Sequence, residues 1–235
     1  EFKLKCGTVY SQWLYRRTGR TLSLRSIVKS SAQYFFASAA DKTQNILSLT
    51  DLKVCYAKEY TDVNLNAWYH DALDFVLEEK IMNGTGNARF EPDSQLTRAM
   101  LATILYRMSG ADGSYSHPFT DVEEGKWYSE AIAWAYESGV ANGTGATTFA
   151  PTELVTRQQA AAMLYRFAQS QGQGMEANGD LSAFVDADKI APYAELPLRW
   201  AVGTGVISGK GHGVLDPAGT ATRAEIAQII FKWQN

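Results

Sequence analysis

Apolar residues recur at helical spacing in three separate stretches of the chain. In each stretch they occupy positions i, i+3, i+4 and i+7, which is the spacing of an amphipathic helix. The three stripes are Leu101, Ile104, Leu105 and Met108; Ala160, Met163, Leu164 and Phe167; and Ile226, Ile229, Ile230 and Trp233. These matching apolar faces predict three helices that pack on one another as a central bundle.

A shorter apolar pattern ahead of the stripe predicts an earlier helix in each copy. Its apolar positions in the first two copies are Ala72, Leu73, Val76 and Leu77, and then Ala131, Ile132, Ala135 and Tyr136. A Trp-Tyr pair leads into this helix, and a Phe-x-Pro turn connects it to the next one. Gly84 and Gly143 follow it where a left-handed residue would reverse the chain.

The whole plan is an internal repeat. A shift of 59 residues superimposes, without a gap, Asp62 on Asp121, Trp68 on Trp127, and Arg98 on Arg157. Counted from the second copy, the third copy matches at Tyr193 with a shift of 65 residues and at Trp200 with a shift of 66. One residue is therefore inserted before its first helix. This recurrence predicts a mainly α repeat architecture. The predicted copies span 58–110, 117–170 and 182–235.

Residues 1–57 differ from the copies in both pattern and charge. They alternate apolar and polar residues, as β-strands do, and carry nine basic and three acidic side chains. This balance of +6 leaves −9 on residues 58–235, because the whole chain is −3. So short a segment makes a poor independent core, and we interpret it as the β-rich tail of a truncated surface domain. Both cysteines, Cys6 and Cys55, lie in it, and the sequence leaves their pairing open.

Composition narrows the functional classes. With 46% hydrophobic and 20% charged residues the chain is typical of a soluble globular protein, and it has no apolar run of 18 residues that could insert into a membrane. Basic and aromatic residues near Arg16 and Arg17 are better explained by a solvated strand face than by a patch that binds nucleic acid or glycan. His70 becomes Ser129 in the second copy, so no catalytic or metal set recurs. The sequence therefore predicts neither an enzyme nor a cofactor.

An arginine recurs in the first turn of each predicted second helix. Thr222 and Glu225 form a capping box in the third copy, which does not need the intervening Arg223. A cation is unfavourable there, because the helix N-terminus is already positive. Two explanations stay open: pairing with an acid such as Asp62, Asp121 or Asp186, or a site where the arginine and free helix amides bind an anionic ligand.

The repeated pattern of Thr-Asp-Val, Trp-Tyr, Gly-Thr-Gly, Phe-x-Pro and Thr-Arg-x-Glu/Gln resembles the S-layer homology (SLH) domain in three tandem copies. The resemblance implies a pseudo-threefold spindle around a central three-helix bundle. It also implies an extracellular module that anchors bacterial surface proteins by binding an anionic, often pyruvylated, secondary cell wall polymer in grooves between the copies.

Carried over residue by residue, the resemblance predicts a ligand site in each copy. The ligand-binding residues that it implies are Arg98, Arg157, Arg223, Asp62, Asp121, Asp186, Trp68, Trp127, Gly84, Gly143, Gly209 and Lys210. The tryptophans would stack on sugar rings, although a Trp at a repeat junction is more often part of the core.

Departures from the family pattern predict unequal grooves. Met100 and Gln159 replace the acid of the capping box, Pro192 replaces the aromatic wall of the third copy, and Lys210 adds a charge to its glycine loop. We therefore expect one or two working grooves rather than three. The alternative function is a protein–protein assembly module of a surface layer, in which the same faces support self-association.

Overall fold

Residues 55–234 are described by the computed structural model of the chain, and within them there are six α-helices and no β-sheet. The helices are α1 His70–Glu78, α2 Arg98–Ser109, α3 Ser129–Glu137, α4 Arg157–Ser170, α5 Glu195–Gly203 and α6 Arg223–Gln234. This confirms the mainly α class and the two helices predicted for each copy. The predicted β-rich segment and Cys6 fall on residues 1–54, outside the described residues.

The second helix of each copy begins at a capping threonine, as predicted. Thr156 accepts from the amide of Gln159 while the Gln159 side chain accepts from the Thr156 amide, and Thr222 and Glu225 form the same reciprocal pair. In the first copy Thr97 accepts from the amide of Met100 at 3.2 Å, without the return bond. The capping box is therefore complete in two copies and half formed in one.

The first helix of each copy packs on the second helix of another copy. Thus α3 lies on α2, α5 lies on α4, and α1, from the first copy, lies on α6, from the third. An aromatic pair lies in each contact, with ring centroids 5.6–5.8 Å apart: Phe75–Phe231, Tyr106–Trp134 and Tyr165–Trp200. The contacts between copies therefore close on themselves. Helices α2 and α4 also touch, while the spindle with a central three-helix bundle stays a prediction.

Backbone hydrogen bonds join the three copies in the same cyclic order. Leu96 donates to Ala221 at 2.9 Å, Ala221 donates to Val155 at 3.2 Å, and Val155 donates back to Leu96 at 2.9 Å. Each of these residues directly precedes the capping threonine of its copy and is fully buried. Because each buried amide needs a partner, every copy depends on another for the start of its second helix.

The glycines of the loop after the first helix have a different role from the one predicted. The left-handed residues that end this helix are Lys80, Gly139 and Gly205, with φ of 58°, 71° and 75°. Gly84 and Gly143 have no positive φ and instead lie where a Cβ would collide with the ring of Tyr60 or Phe119 and with a carbonyl across the loop. Close packing, and not chain reversal, therefore explains these two positions.

Candidate ligand-binding site

Arg98, Arg157 and Arg223 occupy the first position of α2, α4 and α6. Only 5–6% of each residue is exposed. Burial lowers the pKa of all three guanidinium groups below the usual arginine value. Each arginine is therefore held within the structure, and most of its surface is unavailable to a ligand.

Every arginine donates two hydrogen bonds to carbonyl groups of the next copy in the cycle. The Nε atoms bind the Phe-x-Pro turn or its equivalent, in the pairs Arg98–Phe149 at 2.9 Å, Arg157–Leu215 at 3.0 Å and Arg223–Phe90 at 2.8 Å. The Nη2 atoms bind the residue before the glycine loop, in the pairs Arg98–Asn142 at 3.0 Å, Arg157–Ser208 at 2.8 Å and Arg223–Asn83 at 2.7 Å. These bonds explain a recurring cation at an unfavourable helix position.

One edge of each guanidinium group remains for a ligand. Nη1 makes no hydrogen bond within residues 55–234. Every fully buried side-chain nitrogen or oxygen in that range has a hydrogen-bond partner, so an unbonded Nη1 must reach solvent. The helix amides are not available to a ligand, because the first amides of α2, α4 and α6 donate to the carbonyl groups of Glu153, Gly219 and Ser94. The prediction that free helix amides join the arginine in binding an anion is therefore wrong.

The three aspartates hold the turn that the arginines bind. Each carboxylate accepts from two successive turn amides at 2.8–2.9 Å: Asp62 from Phe90 and Glu91, Asp121 from Phe149 and Ala150, and Asp186 from Leu215 and Asp216. The second residue of each turn is left-handed, with φ of 57–59°. No salt bridge joins these aspartates to the three arginines within the described residues. The predicted direct pairing is thus wrong: the two groups meet through the turn.

Hydrogen bonding also sets the protonation of the aspartates. Partial burial alone would raise the pKa of Asp62 and Asp121, but the bonds from the turn amides outweigh it and hold each pKa below its usual value. The pKa of Asp186 is lowered mainly by the bond from the Leu215 amide. All three therefore hold their turns as anions.

Trp68 and Trp127 are the largest exposed side chains of their copies. They are 63% and 61% exposed and pack edge-on against Tyr69 and Tyr128, with centroids 5.3 and 5.1 Å apart. The expectation that a tryptophan at a repeat junction belongs to the core is wrong for both Trp68 and Trp127. A rigid, exposed indole is a suitable platform for the apolar face of a sugar ring.

Tyr193 takes the corresponding place in the third copy. Trp68 and Trp127 lie two residues before the start of α1 and α3, and Tyr193 lies two residues before the start of α5. Tyr193 is 50% exposed, and Ala194 takes the buried position that precedes the helix. The inserted residue therefore lies before Tyr193 and not after it, and the prediction that Pro192 removes the aromatic wall is wrong.

The glycine loop of the third copy carries the extra charge that the sequence predicted. The Lys210 ammonium group lies 3.0 Å from the Asp216 carboxylate and 3.8 Å from that of Glu225. A Cβ on Gly209 would meet the ring of Phe184, so this loop packs as the other two do. Lys210 is therefore a partly neutralised cation beside a compact loop.

A cleft of about 500 Å³ brings parts of all three copies together. Trp68 comes from the first copy, Arg157 from the second, and the loop 206–210 with one face of α6 from the third. On that face lie Glu225, Gln228, Ile229 and Lys232. The cleft combines an exposed indole, the edge of a guanidinium group and two ammonium groups.

Sequence reasoning missed Lys232 and Gln228 because they lie on the polar side of a helix chosen for its apolar stripe. Their spacing from Glu225, at i+3 and i+7, places all three on one helix face, and that signal could have found them. The aspartates are not brought into the cleft, while Trp68, Arg157, Gly209 and Lys210 are. At the two other junctions Arg98 lies beside the loop of Gly143, and Arg223 lies beside the loop of Gly84.

Three copies closed in a ring, with a cleft at a junction, define a helical repeat module built for binding. The chain belongs to the S-layer homology domain family, whose profile matches residues 59–100, 118–161 and 183–227. Members of this family are non-catalytic modules that anchor proteins to the cell wall, and the chain is accordingly assigned to the bacterial cell surface. Within residues 55–234 no helix is long and apolar enough to cross a membrane.

Similar proteins include enzymes and surface-layer proteins. The chain is 32% identical over 177 residues to an amylopullulanase of Thermoanaerobacterium thermosulfurigenes, which covers 75% of the chain and 9% of that protein. It is 31% identical over 208 residues to the surface-layer 125 kDa protein of Lysinibacillus sphaericus, covering 87% of the chain and 17% of that protein. It is 29% identical over 178 residues to the S-layer protein sap of Bacillus anthracis, covering 74% of the chain and 21% of that protein. The chain thus spans a small part of each relative.

Proposed function

We propose that this module holds a larger protein on the cell wall by binding an anionic secondary cell wall polymer, with pyruvylated sugars, in the clefts between its copies. The observation that carries the proposal is the cleft at Arg157, where Trp68, Arg157, Lys210 and Lys232 converge from three copies. A pyruvyl ketal supplies a carboxylate directly attached to a sugar ring. Such a unit matches a cleft that offers cations beside an aromatic face.

Local charge matters because the copies as a whole are acidic. Residues 58–235 carry −9, which repels an anionic polymer at long range. Binding therefore depends on cations gathered at one place: the solvent-facing edge of Arg157, Lys232 and the partly neutralised Lys210. We expect the affinity to fall as salt concentration rises, since these contacts are electrostatic.

The test is a pull-down of purified cell walls with the intact chain and with Trp68→Ala. Since 63% of Trp68 is exposed, its removal leaves folding unchanged and weakens wall binding, by about tenfold if one stacking contact of about 1.4 kcal/mol is lost. Trp68→Phe, which retains a ring, is the matched control. Walls without pyruvyl groups should lose binding of the intact chain.

The alternative function, protein–protein assembly, makes a different prediction for the same variant. If the module instead pairs with other protein copies, the intact chain self-associates without polymer in analytical ultracentrifugation, and Trp68→Ala reduces that association. Full wall binding by Trp68→Ala, or equal binding to walls with and without pyruvyl groups, would contradict the polymer proposal.

A further inference from the structure

Two of the glycine loops that the arginines bind contain an asparagine–glycine pair. The pairs are Asn83–Gly84 in the first copy and Asn142–Gly143 in the second, at equivalent positions. We propose that Asn83 and Asn142 are sites of spontaneous deamidation, and that the guanidinium group bound to each asparagine carbonyl promotes the reaction. The modification goes beyond the proposed function and does not depend on it, because its only co-reactant is water.

The reaction begins when the glycine amide nitrogen attacks the side-chain carbonyl carbon of the preceding asparagine. A bond forms from this nitrogen to Cγ, the Cγ–Nδ2 bond breaks, and the nitrogen loses a proton while the leaving group gains one and departs as ammonia. Water then opens the cyclic imide at one of its two carbonyl carbons and gives aspartate or isoaspartate. Glycine favours the attack because it has no side chain to hinder it. The net change converts an amide and water into a carboxylic acid and ammonia.

Both asparagines leave the reacting atoms accessible. Asn83 and Asn142 are exposed, and their side chains make no hydrogen bond within residues 55–234. The amides of Gly84 and Gly143 donate no hydrogen bond in the same part of the chain. Neither the attacking nitrogen nor the carbon that it attacks has to break a bond to another residue before the reaction.

The arginines bind the oxygen atom that shares the charge of the attacking nitrogen. Arg223 Nη2 donates to the Asn83 carbonyl oxygen at 2.7 Å, and Arg98 Nη2 donates to that of Asn142 at 3.0 Å. When the glycine amide loses its proton, the negative charge is delocalised onto this oxygen. A charged donor that is already in place stabilises the charge more than a neutral donor does. Both arginines therefore make the glycine nitrogen more reactive.

A third asparagine–glycine pair, Asn178–Gly179, has the same sequence signal in a different setting. The Gly179 amide is buried and donates to the carbonyl oxygen of Arg199 at 3.0 Å. Among the described residues no arginine donates to the Asn178 carbonyl. Attack at this pair first requires the loss of a backbone hydrogen bond, so Asn178 is an internal control.

The third copy cannot react in this way. Ser208 takes the place of the asparagine, and its carbonyl oxygen accepts from Arg157 Nη2 at 2.8 Å. The serine side chain has no carbonyl carbon for the glycine nitrogen to attack. Deamidation therefore adds a carboxylate in the loops that Arg98 and Arg223 bind and leaves the loop of the Arg157 cleft unchanged. In isoaspartate the new carboxylate contains the carbonyl group that the arginine held.

The first test is peptide mapping by mass spectrometry after incubation of the intact chain at neutral pH. In the folded chain Asn83 and Asn142 should react about tenfold faster than Asn178, because the Gly179 hydrogen bond must break there. In urea the three pairs should react at similar rates, since their structural differences are lost. Equal rates at Asn142 and Asn178 in the folded chain would overturn the proposal.

The second test adds an asparagine beside the remaining arginine. Ser208→Asn creates an asparagine–glycine pair whose carbonyl Arg157 binds, and the variant is expected to fold because the other two copies have asparagine there. Glu124→Asn creates such a pair with Gly125 at an exposed position, where no arginine donates to the carbonyl within residues 55–234. The pair at position 208 should react about tenfold faster than the pair at position 124. Equal rates at the two positions, with both variants folded by circular dichroism, would overturn the role of the arginine.

Discussion

Arg223 in the third copy donates a hydrogen bond from Nε to the carbonyl oxygen of Phe90 in the first copy at 2.8 Å. The guanidinium carbon also lies 4.6 Å from the centre of the Phe90 ring. Asp62 holds the same residue from the other side, because it accepts from the Phe90 amide. The recurring arginine is therefore first a link between copies and only along one edge a ligand group.

Replacement of Arg223 should weaken the fold as well as binding. Arg223→Ala removes two hydrogen bonds to carbonyl groups of the first copy, and we expect a loss of about 2–4 kcal/mol in the free energy of unfolding. Urea denaturation followed by circular dichroism measures it. Lys126→Ala, which breaks an exposed pair with Glu123, is the control and should cost at most about 1 kcal/mol. Equal urea midpoints for the two variants would contradict the linking role.

This result bears on the interpretation of arginine variants. A simultaneous change of Arg98, Arg157 and Arg223 to alanine is expected to unfold the module, because it removes the links between all three copies. Loss of wall binding by such a variant would therefore report on folding. An exposed residue such as Trp68 separates the two effects.

Gly143→Ala should destabilise the second copy by about 1–3 kcal/mol, as expected for an overpacked site. The added methyl group would collide with the ring of Phe119 and with the carbonyl oxygens of Thr148 and Gly145. Thermal denaturation measures the change. Gly174→Ala is the matched control, because no atom lies within 4 Å of its added Cβ. An unchanged melting temperature for Gly143→Ala would show that the loop moves freely.

Met100→Glu should stabilise the first copy. The added carboxylate can accept from the Thr97 amide, as that of Glu225 does from Thr222 at 3.0 Å, and complete the capping box. We expect a gain of about 0.5–1 kcal/mol in the free energy of unfolding, measured in urea. Met100→Ala, which shortens the side chain without adding an acceptor, serves for comparison and should show no gain. A Met100→Glu variant no more stable than Met100→Ala would mean that the box does not form.

The module should lose stability in acid as the turn-binding aspartates become protonated. Their pKa values in the folded state lie below those in the unfolded chain. The unfolded state therefore takes up protons first, so the stabilisation is complete above about pH 4 and is lost as the pH falls through the folded pKa.

Urea midpoints between pH 7 and pH 3 measure this loss. Asp186→Asn should lower stability at pH 7 and reduce the slope below pH 4, because it removes one of the groups that titrate. Asp188→Asn, at an exposed position nearby, should leave the slope unchanged. Identical slopes for Asp186→Asn and the unchanged chain would contradict the role of the carboxylate.

Local sequence signals were sufficient for the elements but not for their connections. The apolar stripe and the capping threonine predicted where α4 and α6 begin, because both are determined by neighbouring residues. The link from Arg223 to Phe90 spans 133 residues, and nothing near either residue indicates the other. The same limit applies to the aspartates: charge made pairing with an arginine one of two explanations, while Asp62 in fact accepts from two amides of a left-handed turn.

Tyr193 shows how matching by residue identity can mislead. Aligned by type, Tyr193 corresponds to the tyrosine of the Trp-Tyr pair and leaves Pro192 in place of the tryptophan. The helix start at Glu195 shifts that register by one and gives Tyr193 the exposed position. Side-chain placement follows from the helix frame, which an insertion of uncertain position conceals.

Closure of the backbone cycle through Leu96, Val155 and Ala221 fixes the number of units at three. A linear array of repeats can gain or lose internal members, because each repeat contacts only its neighbours. In this module the face that Ala221 would offer to a fourth unit is already taken by Leu96. Duplication or deletion of one unit would break the cycle of backbone hydrogen bonds, just as a closed ring of subunits cannot gain or lose a member without losing contacts. We therefore expect evolution to change the side chains at the junctions and to keep the number of units.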